Sequence, residues 1–198
     1  MIKDSLSDLQ KKVGEILSFL PIHPNHITIL SVVFAAFGAY FIFDKNWIGM
    51  LFILLAFAFD GLDGAIARAK KLSSKFGAYM DGICDRVVEF FVLLPFILDS
   101  NYVLPSALIL FFGTCMTSFS KAYADHREVC DAKTAAKLRT LLPRTERVIA
   151  IFIALALYLN GNAEVNYLLW AISIASIIAF INLQLEAYYK AKKNEQDD

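Results

Sequence analysis

Six apolar segments separated by polar turns constrain the fold of this chain more than any other feature of its sequence. They are predicted as helices at about residues 27–43, 47–59, 77–98, 103–122, 148–159 and 165–185. Of the 198 residues, 58% are hydrophobic, against roughly 45–50% in soluble domains. A chain this apolar has to satisfy its backbone inside the bilayer, which favours helices. The sequence therefore predicts an all-α integral membrane protein, a six-transmembrane-helix bundle that forms one domain over residues 1–198.

The two ends of the chain carry different patterns. Residues 2–20 repeat apolar side chains at three- and four-residue steps with charged residues between them, which predicts an amphipathic helix. We expect this helix to lie in the membrane interface, although the pattern also suits a helix packed on the protein's own cytoplasmic side. Pro21 and Pro24 end it, and Asn25 is the predicted N-cap of the next helix. The polar residues 190–198 are expected to be a disordered tail.

Four aspartates interrupt the apolar pattern at the ends of two neighbouring helices. Asp60 and Asp63 are three residues apart, and Asp81 and Asp85 are four apart, so each pair lies on one helix face. An ionised carboxylate at membrane depth costs roughly 2.5–3.5 kcal/mol on insertion scales, and four together repel one another unless a cation joins them. Mg²⁺ and Mn²⁺ prefer such all-oxygen ligands. The spacing therefore predicts a divalent metal site suited to phosphoryl chemistry.

Lysine and arginine are distributed unequally between the two sides of the predicted bundle. If all six segments cross the membrane, every one of the 19 Lys and Arg residues except Lys45 falls on the side that holds the N-terminus. Cytoplasmic loops carry such an excess of positive charge. We therefore expect both termini on the cytoplasmic side of the cell membrane, with the four aspartates at the cytoplasmic ends of the second and third spans.

The spacing of these acids resembles the signature of the CDP-alcohol phosphotransferase family, D-x2-D-G-x2-A-R-x8-G-x3-D-x3-D. Every fixed position of that signature is present between Asp60 and Asp85. The resemblance implies an enzyme that moves a phosphatidyl-type group from a CDP-lipid to the hydroxyl of a polar acceptor and releases CMP. It also implies a two-metal site for Mg²⁺ or Mn²⁺ and a homodimer among membrane lipids. No nucleic-acid partner is expected.

The resemblance also assigns roles to individual residues. All four aspartates would bind metal, and Asp85 would in addition act as general base on the acceptor hydroxyl. The predicted nucleotide-binding residues are Asn25, Thr28, Asp60, Gly64, Ala67, Arg68, Ser73 and Gly77. Arg68 also fits a positive-inside anchor, and Asn25 also fits a simple helix cap.

A second basic cluster bears on the identity of the acceptor. Arg144 and Arg147 are three residues apart and can share a helix face, which suits the binding of an anion. Their R-x-E-R pattern resembles family members that use inositol 1-phosphate, the phosphatidylinositol-phosphate and archaetidylinositol-phosphate synthases. With Lys121 and Arg139 they would bind the acceptor phosphate, although the two arginines also fit a positive-inside flank.

Several alternatives stay open on the sequence. Glycerol 3-phosphate is a second candidate acceptor, and a di-inositol phosphate synthase would use CDP-inositol and make no lipid. The sequence does not distinguish a diacylglycerol from an archaeol lipid. A cation transporter also holds carboxylates in the membrane, but its acids would lie near the midplane, whereas these lie beside basic residues at one face.

Overall fold

The computed structural model describes residues 23–197 except 131–133, 136–137 and 139, with side chains described to residue 192. Within those residues the secondary structure is helical, without a strand, which confirms the all-α class. The helices are α1 Pro24–Phe43, α2 Ile48–Ala69, α3 Lys75–Leu98, α4 Val103–His126, α5 Arg144–Leu159 and α6 Val165–Asp197. The amphipathic helix predicted at residues 2–20 lies outside the described residues.

Four of these helices are long and apolar enough to cross a membrane. They are α1, α2, α4 and the part of α6 from Val165 to Lys192, which correspond to the first, second, fourth and sixth predicted spans. The other two predicted spans are also helices, but α3 is charged through much of its length and α5 has only 16 residues. The chain therefore has the helices of a membrane protein, and the count of six spans stays a prediction.

Two predictions about helix ends are wrong. Helix α1 begins at Pro24 with His23 as its N-cap, and the His23 Nδ1 accepts a hydrogen bond from the Asn25 backbone N–H at 3.3 Å. Asn25 therefore lies in the first turn, where a preceding proline is well tolerated because it has no N–H to satisfy. At the other end, α6 continues to Asp197, so residues 190–197 are helical. Lysine, alanine, glutamate and glutamine are good helix formers that extend an existing helix.

The first of two compact units, Met1–Pro95, holds α1, α2 and most of α3. Helices α1 and α2 pack closely along their length, next to a tight turn in which Lys45 has a φ of 56°. A Cβ on Gly49 would lie only 2.7 Å from the Gly38 carbonyl oxygen. The two glycines thus let the backbones touch, as small residues do in membrane helix pairs.

The second unit, Phe96–Asp198, holds α4, α5 and α6. The middle of α4, Ile109–Met116, is a π-helix, a rare form that is frequent at functional sites. A Cβ on Gly113 in this segment would lie 3.0 Å from both Arg147 Cδ and Ser176 Oγ. The missing side chain therefore gives α5 and α6 room to pack against α4 at a buried arginine.

Candidate active site

Three of the four aspartates converge where α2 and α3 meet. Asp60, Asp81 and Asp85 each offer a carboxylate oxygen, and these oxygens all lie within 4.8 Å of one another. The three side chains are half-buried, and we refer to them as the acidic triad. Oxygens that bind one Mg²⁺ at about 2.1 Å are at most about 4.2 Å apart. The triad therefore fits a divalent cation after a small movement of its side chains.

The fourth aspartate, Asp63, has a different environment. Its side chain is buried, with 5% of its surface exposed. Its Oδ2 accepts a hydrogen bond from the Thr28 hydroxyl at 2.5 Å, and its Oδ1 accepts one from the Gly64 backbone N–H at 2.5 Å. The residue is thus bound to α1 and to the next residue of its own helix, and its role as a metal ligand stays a prediction.

Asp85 carries an ion pair that the sequence analysis missed. The Arg86 guanidinium donates to Asp85 Oδ2 at 2.8 Å and to the Gly82 carbonyl oxygen at 3.0 Å. The second bond anchors Arg86 to its own helix, so the guanidinium holds the Asp85 carboxylate from one side. The only signal in the sequence is the position of Arg86 beside the last acid of the motif.

A cleft of about 200 Å³ lies beside Asp81 in the first unit. Seven of the eight predicted nucleotide-binding residues line it: Asn25 and Thr28 on α1, Gly64, Ala67 and Arg68 on α2, Ser73 in the following loop, and Gly77 on α3. The eighth, Asp60, belongs to the acidic triad. Segments separated in sequence thus meet at one opening, next to carboxylates that fit a cation.

The wall of the cleft at Gly77 depends on the absence of a side chain. A Cβ there would lie 3.1 Å from Ser74 Oγ and 3.6 Å from Asn25 Oδ1. The Gly77 backbone N–H donates to Ser74 Oγ at 2.9 Å, which is the bond that a helix N-cap makes. Ser74 was missed in the sequence analysis, although a serine directly before a helix is a recognisable capping signal. It fixes the start of α3 and hence the position of Gly77.

The predicted acceptor residues lie in the second unit, so far as they are described. Lys121 is half-buried on α4, Arg144 begins α5, and Arg147 is buried one turn later, with 5% of its surface exposed. The two arginines therefore share the first turns of one helix, as their spacing predicts. Arg139 lies outside the described residues. The binding of an acceptor by these side chains stays a prediction.

Comparison with known proteins agrees with this site. Residues 21–182 match the family model of the CDP-alcohol phosphatidyltransferases. The chain is 32% identical over 193 residues to the archaetidylinositol phosphate synthase of Pyrococcus horikoshii, covering 97% of this chain and 95% of that protein. It is 31% identical over 165 residues to the bifunctional IPC transferase and DIPP synthase of Aquifex aeolicus, covering 74% of this chain and 39% of that protein.

A solved structure has the same fold. The phosphatidylinositol phosphate synthase of Mycobacterium tuberculosis, crystallised with manganese and citrate, aligns with a TM-score of 0.73 over 90% of this chain and 88% of that chain. The sequence identity of 22% makes this a likeness of fold alone. Signature, acidic triad, cleft and relatives agree, and the chain belongs to the CDP-alcohol phosphatidyltransferase family.

Proposed function

We propose that this protein transfers a phosphatidyl or archaetidyl group from a CDP-lipid to a hydroxyl of inositol 1-phosphate and releases CMP. The observation that carries the proposal is the acidic triad beside a cleft lined by signature residues. Inositol 1-phosphate is favoured as acceptor because the relatives in Pyrococcus and Mycobacterium are named archaetidylinositol phosphate and phosphatidylinositol phosphate synthases.

The chemistry of the donor set fits Mg²⁺ or Mn²⁺. Asp60, Asp81 and Asp85 would supply carboxylate oxygens, and Asp63 would join them from its buried position. Bound divalent ions would neutralise the diphosphate and polarise the phosphorus that is attacked. Manganese in the crystals of the Mycobacterium synthase supports the same class of ion here.

The residues of the cleft would bind the nucleotide half of the donor. Gly64 and Gly77 present backbone without side chains to this opening, which lets a diphosphate approach closely. The Arg68 guanidinium lies over Gly64, with its terminal nitrogen 3.3 Å from the place of a Cβ there. Arg68 would therefore pair with a diphosphate oxygen by a charge-assisted hydrogen bond.

Asp85 would act as the general base. The inositol hydroxyl oxygen forms a bond to the lipid-bearing phosphorus, the bond from that phosphorus to CMP breaks, and the hydroxyl proton moves to the Asp85 carboxylate. Arg86 holds Oδ2 of that carboxylate, which fixes the orientation of the base for this proton transfer. A base must lie within about 3 Å of the proton that it takes, and a carboxylate held from one side meets that demand better than a freely rotating one.

The acceptor phosphate would be bound by Lys121, Arg139, Arg144 and Arg147. Two arginines one turn apart at the start of α5 can bind a phosphate through several parallel hydrogen bonds. Serine and free inositol carry no phosphate, so an enzyme for those acceptors would not need this pair.

We also propose six membrane spans, with both termini and the active site on the cytoplasmic side, and a homodimer. Helix α3 has 24 residues, or about 36 Å, and α5 has 16, or about 24 Å. The hydrocarbon core is about 30 Å thick, so α3 is long enough and α5 requires local thinning of the bilayer. The excess of lysine and arginine on one side supports the orientation.

The proposal is tested by measuring CMP release from membranes that contain the protein, with Mn²⁺, CDP-diacylglycerol or CDP-archaeol, and one acceptor at a time. The acceptors are inositol 1-phosphate, inositol, glycerol 3-phosphate and serine, and the matched control is Asp85→Asn in the same membranes. We expect release to depend on inositol 1-phosphate and to be absent from the control. Turnover with glycerol 3-phosphate alone would overturn the acceptor assignment, and so would CMP release that occurs only in a parallel reaction with CDP-inositol as the donor.

A further inference from the structure

Thr28 and Asp63 form a buried polar contact between α1 and α2. Their side chains are 4% and 5% exposed, and the two residues are 35 positions apart in the sequence. A buried carboxylate is costly unless hydrogen bonds compensate it. Thr28 is among the predicted nucleotide-binding residues, but its hydroxyl has little surface left for a ligand.

The single proton of the Thr28 hydroxyl has two possible acceptors. One is Asp63 Oδ2 at 2.5 Å, and the other is the Pro24 carbonyl oxygen, one helical turn earlier, at 3.3 Å. A bond to a carboxylate is charge-assisted and stronger than one to a carbonyl, and here it is also much the shorter. The hydroxyl therefore donates to Asp63, and no second proton remains for a nucleotide oxygen.

We infer that Thr28 is a positioning residue that fixes the carboxylate of Asp63 for metal binding, an inference that rests on the proposed function. The backbone N–H of Gly64, the next residue on α2, holds Oδ1, and Thr28 holds Oδ2 from α1. Two donors on separate elements fix the plane of the carboxylate, which one donor would leave free to rotate. Each oxygen keeps a further lone pair for a cation.

This role predicts a defined change in metal affinity. Groups that orient a ligating carboxylate typically contribute 10–100-fold in metal affinity or activity. The Thr28→Val variant keeps the shape of the side chain and removes the hydroxyl, and Thr28→Ser keeps the hydroxyl. We expect T28V to weaken Mn²⁺ binding by roughly 10–100-fold and T28S to stay within a few-fold of wild type.

The experiment measures Mn²⁺ binding to the purified full-length protein in nanodiscs by the electron paramagnetic resonance signal of the free ion, without nucleotide. Ser31→Ala is the matched control, because Ser31 Oγ donates to the Thr28 carbonyl oxygen at 2.7 Å within the same buried turns. We expect S31A to leave the affinity unchanged. In an Asp63→Asn background, T28V should cause no further loss, since the carboxylate it orients is gone.

The outcomes separate this inference from its rivals. If T28V leaves Mn²⁺ affinity unchanged and raises the KM for the CDP-lipid, Thr28 is a nucleotide contact and the inference is wrong. An equal loss of affinity in the Asp63→Asn background would also overturn it. Should T28V fail to fold, Thr28→Cys takes its place, because a thiol is a weaker donor of similar size. CMP release by wild type with each acceptor tests the proposed function separately.

Discussion

A methyl group added at Gly49 is expected to destabilise the protein by about 2 kcal/mol. Its Cβ would lie 2.7 Å from the Gly38 carbonyl oxygen and 2.8 Å from the Ile42 backbone nitrogen, and backbone atoms cannot move aside as a side-chain tip can. Overpacking costs roughly 1–3 kcal/mol, and the upper end applies here. The better helix propensity of alanine returns about 1 kcal/mol. The net destabilisation of about 2 kcal/mol corresponds to a melting temperature roughly 4–8 °C lower for a chain of this size.

The assay is thermal unfolding of the full-length protein in one detergent, with two comparison variants. Around Gly82, no described atom lies within 4 Å of the Cβ position, so Gly82→Ala should instead stabilise the protein by roughly 0.5–1 kcal/mol. Gly38→Ala should fall between the two, because its methyl meets mainly the Ile53 side chain, at 2.6 Å, rather than backbone atoms. A G49A protein that melts at or above the wild-type temperature would refute the close approach of α1 and α2.

Other predictions concern the active site and a turn. Asp85→Asn should abolish CMP release, because the base is lost, and should also weaken Mn²⁺ binding, because the acidic triad loses one carboxylate; retained turnover would exclude Asp85 as the base. Arg147→Ala should raise the KM for inositol 1-phosphate by roughly 10–150-fold, since a hydrogen bond to a charged group contributes about 1.5–3 kcal/mol, with the KM for the CDP-lipid unchanged as control. Arg147→Lys should recover part of that loss, and an unchanged KM in both would leave the arginine a structural role. Gly161→Ala should lower the melting temperature, because Gly161 has a φ of 68°, which strains an alanine.

The sequence predicted the helices and the acid pairs because both depend on local periodicity. Apolar runs bounded by polar turns specify spans, and acids three or four residues apart share a helix face whatever the tertiary structure. The boundaries at His23 and Asp197 were missed because both signals are weak in the sequence. His23 caps a helix whose first residue is Pro24, and the polar residues after 189 extend a helix that is already formed.

Features that depend on contacts between distant segments could not be predicted from the sequence. Which acids converge depends on side-chain direction, and the bond from Thr28 that turns Asp63 toward α1 spans 35 residues. The π-helix within α4 is a similar case. Its amino acids would suit an ordinary α-helix, and the space at Gly113 beside Arg147 and Ser176 becomes visible only when α5 and α6 are packed in place.

The division of the four acids explains how so much negative charge is tolerated at a helix pair. Two unit charges at most 4.8 Å apart repel by at least roughly 3.5 kcal/mol at an effective dielectric constant of 20, and the acidic triad contains three such pairs. Asp63 is buried, where the Thr28 hydroxyl and the Gly64 backbone N–H stabilise its charge, and the Arg86 guanidinium offsets part of the charge of Asp85. The remaining repulsion within the triad is what a divalent cation relieves. The repulsion within the acidic triad therefore favours metal binding by the folded protein. The two donors of Asp63 keep its carboxylate oriented when no metal is bound.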